Sequence, residues 1–149
     1  MKHIILFFMV ASFLFACSSD KEKVSAGKYG MMSDDTPQYT AVLFMRSIYN
    51  EDSLDKAIDM STERFARILK GHHTNKNVQR QVFNLRLDSM TSEPVSGGSM
   101  LFSEKQKKAN IDMKIIGEYE GDKVVDLKTL SMVKVKGEWK VQSVRDGYP

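Results

Sequence analysis

The chain's strongest constraint on its fold is a change of hydrophobic period after His73. Before that point, Ala41, Val42, Met45, Ile48 and Tyr49 recur at the spacing of one helix face, and Leu43 and Phe44 widen the stripe. Thr36-Pro37 opens this helix with a capping hydroxyl and a proline at the first helical position, where its missing N–H costs nothing. Asn50 to Ser53 interrupts the pattern. Leu54, Ala57 and Ile58 predict a short second helix capped by Asp52 or Ser53. Thr62 begins a third, carrying Phe65, Ile68 and Leu69 and stopped by Gly71. Beyond His73, Phe83, Leu85 and Leu87 alternate with Asn84, Arg86 and Asp88, as in a half-buried strand. Val78 and Val82 extend it backwards or form one helical turn.

Alternation then dominates. Glu93 to Ser99, with Pro94, Gly97 and Gly98, predicts a turn, and Met100-Leu101-Phe102 a short strand. Ala109, Ile111, Met113 and Ile115 alternate again, and Gly121-Asp122 predicts a hairpin. Val125 and Leu127 are out of phase with Leu130 and Met132, which predicts a β-bulge near Thr129. Lys136-Gly137 turns the chain into a last strand carrying Trp139, Val141 and Ser143. Helices followed by strands imply an α+β domain over residues 36–149, with N-terminal helices packed on a curved antiparallel sheet of four to five strands.

The front of the chain is different in kind. Lys2-His3 precedes Ile4 to Phe15, whose only polar residue is Ser12, and polarity begins abruptly at Ser18. Half of the eight phenylalanines lie here, so the 42% hydrophobic content overstates the folded part. A charged start, an apolar run and a small residue mark a secretory signal over residues 1–16; the run is shorter than the ~20 residues that span a bilayer. Leu14-Phe15-Ala16-Cys17 resembles a bacterial lipobox, with Phe15 where that pattern usually has a small residue. The resemblance implies that Cys17 is thioether-linked to diacylglycerol and becomes the mature first residue. Ser18 after it implies outer-membrane delivery, periplasm-facing by default, whereas Ser18 to Glu22 also resembles the export signal of some surface-exposed lipoproteins. Residues 17–35 read as the acylated cysteine and a flexible tether, about 25 Å in mean reach.

The closing segment Val133-Lys134-Val135-Lys136-Gly137-Glu138-Trp139-Lys140-Val141, with the helical start from Pro37 through Met60, resembles the NTF2-like (cystatin-like superfamily) fold of small lipoproteins of the DUF4878 type. That family implies a cone with a concave sheet and often a pocket. It implies no single activity, since the fold hosts isomerases, hydrolases and binding modules.

The residues themselves offer little chemistry. One cysteine excludes an internal disulfide and a cysteine-cluster metal site, and a net charge of +3 leaves no footprint for nucleic acid. Asp88, Asp112, Glu118 and Asp126 alternate against apolar neighbours and are assigned to the wetter sheet face. Adjacent His72 and His73 lack a third ligand, so no metal or cofactor is expected. Arg64, Arg67 and Lys70 share one helix face, offset by Asp55, Asp59 and Glu63, and Lys105, Lys107 and Lys108 sit in a turn. Ser96-Gly97-Gly98-Ser99 is a turn without the helix and lysine of a phosphate loop.

Met45, Tyr49, Phe65, Phe83, Met113, Met132 and Trp139 are the candidate core or pocket-lining residues, the methionines and the lone tryptophan being suited to either task. The resulting expectation is a membrane-anchored, non-enzymatic envelope lipoprotein that binds a protein partner or a small apolar ligand. The alternatives are an isomerase- or hydrolase-type enzyme, which requires an inward carboxylate, and an immunity or accessory subunit of an envelope complex.

Overall fold

The computed structural model describes residues 35–95 and 107–147. Within them the order is α1 (Pro37–Tyr49), α2 (Asp55–Asp59), α3 (Glu63–His72), α4 (Asn75–Gln81), β1 (Ser89–Pro94), β2 (Lys108–Tyr119), β3 (Asp122–Val135) and β4 (Glu138–Asp146). The architecture is α+β. The strands pair antiparallel in chain order as an open four-stranded sheet, and among the described residues no pairing of β1 with β4 closes it. The signal segment, Cys17, the tether through residue 34 and the strand expected at Met100–Phe102 lie outside the described residues.

Helix α1 begins as its sequence dictates. Thr36 Oγ1 accepts from Tyr39 N at 3.3 Å, and Pro37 occupies the first turn. Most of its apolar stripe is buried, at Ala41, Val42, Phe44, Met45 and Ile48, while Leu43 and Tyr49 are half-buried. Phe44 lies 6.0 Å from the Phe65 ring of α3 and 6.3 Å from the Phe83 ring, so three segments meet on one aromatic cluster. Each such side chain contributes about 1.5–3 kcal/mol by burial.

Helix α3 passes Gly71 and stops after His72, where His73 takes up φ 65°. Thr74 then caps α4 by accepting from Asn77 N at 3.2 Å. Val78 therefore belongs to a helix, and the strand read into Phe83–Leu87 is a connector. Leu85 N donates to Gln79 O at 2.9 Å and Leu85 O accepts from the Tyr49 hydroxyl at 2.9 Å, which leaves neither group for a strand ladder. The true first strand, β1, covers Ser89–Pro94 and extends into the segment expected to turn. As an edge strand it buries only Met90 and Ser92, so its sequence reads as polar.

The phase break lies one strand later than the sequence suggested. β3 pairs with β2 in unbroken register from Asp122 to Val133, with Met113 opposite Lys128 and Ile115 opposite Asp126. Paired residues share a face. Asp126 and Lys128 therefore lie on the same, helix-facing side as Leu130 and Met132, and Val125 and Leu127 on the outer side. The bulge is in β4: Met132 pairs with Val141 and Ser131 with Ser143, leaving Gln142 as the extra residue. It lets Trp139, Val141 and Val144 all face the helices, and it turns Ser143 outward.

Both hairpins use two-residue turns with positive φ at both positions, Glu120-Gly121 (52°, 89°) and Lys136-Gly137 (50°, 92°). Gly117 answers a different need. A Cβ there would stand 2.5 Å from Ser89 O, so β1 can approach β2 only at a glycine. The helical layer is joined to the sheet by backbone as well as by packing. Val141 N donates to Met60 O at 2.8 Å and Thr62 N to Val141 O at 2.9 Å, a parallel bridge at Ser61.

Candidate functional site

The C-terminus of α1 ends against the N-terminal turn of α4 and the outer edge of β1. A helix ends with carbonyls that its own turns cannot satisfy. Here two amides from α4 supply the donors. Asn75 Nδ2 reaches Ser47 O at 2.9 Å and Glu51 O at 2.7 Å, and Gln79 Nε2 reaches Ile48 O at 3.0 Å. Asn50 carries the linkage onward, its Nδ2 donating to Met90 O of β1 at 3.3 Å. Asn75 is 9% exposed, and its Oδ1 has no partner among the described residues.

These groups border an open cleft of about 1000 Å³. Its walls carry both signs of charge: Glu51, Asp52, Asp88 and Glu118 against Lys76, Arg86 and Lys123. Asp88 is committed to structure, because its Oδ2 accepts from Glu120 N at 2.9 Å and holds the β2–β3 turn. Arg86 lies over the Tyr119 ring at 5.3 Å. Such a cleft offers amides, ammonium and carboxylate groups together, a surface suited to a polar or polypeptide ligand.

Beneath the cleft, Tyr49 meets the Phe83 ring edge-on at 5.6 Å. Burial, with the Asp126 charge added, pushes its phenol well above the usual tyrosine range, so it stays a neutral donor to Leu85 O. Asp126 itself belongs to an ion cluster on the helix-facing side. Lys128, 3% exposed at its side chain, sits 3.0 Å from Asp126 Oδ2 and 2.6 Å from Asp146 Oδ1. Burial alone would depress the ammonium, but hydrogen bonds to Asp146 and Asp126 and their charges outweigh it and raise the Lys128 pKa.

The seven residues singled out by sequence divide as follows. Met45, Phe65, Phe83, Met113, Met132 and Trp139 are buried in the core between helices and sheet, and Tyr49 is half-buried at its rim, bordering the cleft. Of the four carboxylates assigned to the wetter face, Asp112 and Glu118 lie on the outer side, where Asp112 accepts from Thr129 Oγ1 at 2.6 Å. Asp88 lies in the connector. Asp126 corrects the assignment, for it shares a face with the core. Sequence reasoning missed Asn75, Gln79 and Lys128, all buried polar groups. Asn75 follows Thr74 as the first residue of a helix, a position that gives no hint of its partners. Among the described residues no three His, Cys, Asp or Glu side chains converge to hold a metal ion, and no helix is long and apolar enough to cross a membrane. Cys17 lies outside the described residues.

A second cavity, of about 770 Å³, runs between α3, the end of α4 and the outer edge of β4. Phe65, Ile68, Val82 and Val144 line it together with Glu63, Arg64 and Arg67.

No protein-family model matches the sequence, and no curated protein matches it. Among solved structures, the chain is similar to the solution structure of a SEC-C motif-containing protein from Rhodopseudomonas palustris, with a TM-score of 0.56 and 10% identity over 78% of this chain and 83% of that one. At that identity the likeness shows fold alone. It also overturns the resemblance to NTF2-like lipoproteins drawn from the closing segment: the similar structure is a SEC-C motif-containing protein. The Gly-x-Trp-Lys-Val ending has a local cause. Lys136-Gly137 satisfies a two-residue turn, and Trp139 and Val141 are the inward positions that follow it.

Proposed function

We propose that this chain is a membrane-anchored envelope lipoprotein whose domain is a non-enzymatic binding module for a protein partner. The observation that carries the binding reading is the contrast between a filled core and an open polar cleft. Met45, Phe83, Met113 and Met132 are each no more than 1% exposed, so the residues suited to line an apolar pocket are taken up in packing. The cleft at the end of α1, with amides and both signs of charge on its walls, favours a polypeptide over a small apolar ligand. The anchor reading rests on Leu14-Phe15-Ala16-Cys17, with lipid added at the chain's one cysteine. Outer-membrane delivery, facing the periplasm, follows from Ser18.

An enzymatic reading needs an inward carboxylate, and Asp126 is one. Its pairing with Lys128 at 3.0 Å favours a structural task over acid–base chemistry.

Labelling growing cells with an alkyne fatty acid tests the anchor. Wild type is expected to take up the label and fractionate with membranes. Cys17→Ala is expected to lose the label and to accumulate uncleaved or in the soluble envelope fraction. Unchanged labelling of that variant removes the lipoprotein reading. A photo-crosslinking residue at Lys76, in the cleft, tests the module. It is expected to trap a discrete protein in intact cells where the same residue at Lys114, on the outer sheet face, does not; equal trapping at both removes the cleft from the reading.

A further inference from the structure

We propose that the outer edge of β4, with the basic face of α3 beside it, receives a short extended segment of an acidic partner polypeptide, added to the sheet as a strand. This site is separate from the cleft and does not rest on the reading of it. Pairing parity along β3 and β4 decides which main-chain groups are free. Gly147 N donates to Leu127 O, so the odd-numbered residues of β3 bond toward β4, and their partners Ser143 and Arg145 bond inward. Val141 and Val144 thus face the open edge. At Val141 that edge is already used, by Met60 O and Thr62 N of a segment running parallel to β4. There Thr62 turns into α3 and leaves, and no described residue pairs with the edge at Val144. The molecule itself therefore shows that this edge accepts an extended segment, and the pairing stops where the groove begins.

The groove's chemistry names the partner's. Arg64 and Arg67 are exposed on its rim, and no carboxylate of the described residues pairs with either. Of the acids expected to offset them, Asp55 is bonded to Ser53, and Glu63 lines the same groove without an ion pair to either arginine, so the groove keeps a net positive charge. Ile68, one helical turn after Arg64 and 44% exposed, adds apolar surface beside them. An extended segment carrying carboxylates at its α3-facing alternate positions matches the edge and the arginines, with main-chain pairing to Val144 and carboxylates to Arg64 and Arg67. An anionic membrane would satisfy the arginines and leave the strand edge unused.

The test uses the full chain in detergent micelles and a blocked hexapeptide alternating valine and glutamate. Binding is read by amide shifts and by titration. The expected result is a shift confined to Gln142–Asp146 and the Arg64–Ile68 face, about tenfold weaker binding for Arg64→Glu/Arg67→Glu, and loss of binding when alternate peptide amides are N-methylated. The methylated probe needs no protein variant, so the outcome does not depend on a substituted chain folding. Three results overturn the proposal: equal binding of the valine–lysine hexapeptide, indifference to N-methylation in both phases, or arginine-dependent binding of phosphatidylglycerol vesicles without binding of the acidic peptide.

Discussion

The helix-facing side of the sheet has two ends built on different physics. Toward Trp139 the side is apolar: Leu130, Met132 and Val141 are at most 1% exposed under α1 and α3, with Phe44 in ring contact with Phe65 and Phe83. Toward Asp146 the same strands carry Asp126, Lys128 and Asp146, with the neutral Tyr49 phenol nearby. The first end draws its stability from area and packing, which are indifferent to register so long as the right face is buried. The second offers little net energy, because desolvating a charge offsets most of what pairing returns. What it does is fix geometry: Lys128 on β3 pairs across to Asp146 on β4, beyond the bulge at Gln142, and this contact holds β4 in its shifted register.

The largest expected effect tests the apolar end. Phe44→Ala should cost about 3–5 kcal/mol in urea unfolding, because it empties a site with ring contacts on two sides. If it costs no more than the charge variants below, the division between the two ends is wrong.

The next tests the polar end. Lys128→Ala should cost about 2–3 kcal/mol, less than a fully buried pair because Asp126 and Asp146 keep side-chain exposures of 32% and 70% and can be rehydrated. Lys128→Met keeps the buried stem and should cost about half as much. The pH dependence has a definite sign. The Lys128 and Tyr49 pKa values are both raised in the folded state above ordinary values of 10.5 and 10.0. Their contributions are therefore complete below about pH 10 and decline as pH rises through the folded values. Lys128→Met should flatten part of that alkaline decline in the thermal midpoint. An unchanged alkaline limb would remove Lys128 from the account.

The smallest sharpens the border between core and cleft. Asn75→Ala should cost about 1–2 kcal/mol by stripping donors from Ser47 O and Glu51 O. Amide exchange should rise first in the last turn of α1 and leave β2 and β3 protected.

The apolar end was legible in the sequence and the polar end was not. The helix start at Thr36 follows from capping chemistry, and α1, β2 and the two hairpins follow from period and turn residues. Asp126 and Lys128 read as surface residues because each alone belongs there. Only together, with Asp146 across on β4, do they become tolerable inside, and an ion cluster of this kind is invisible to a period of two. The same pair made an unbroken β3 look bulged. The real break, between Val141 and Val144, was hidden because Ser143 continued the alternation. Leu85 and Leu87 misled in another way: their burial alternates as in a strand, but α1 and α4 hold the connector's backbone. The cleft was least legible, since Asn75 and Gln79 act on carbonyls that no sequence motif identifies.

The bridge at Val141 has a mechanical consequence. A terminal strand at an open sheet edge ordinarily frays, leaving its neighbours intact. At Val141 β4 is clasped on both sides, by β3 and by the link between α2 and α3, so that part of it cannot peel without disturbing the helices as well. Such a clasp couples the last strand to the helical layer and makes the two release together.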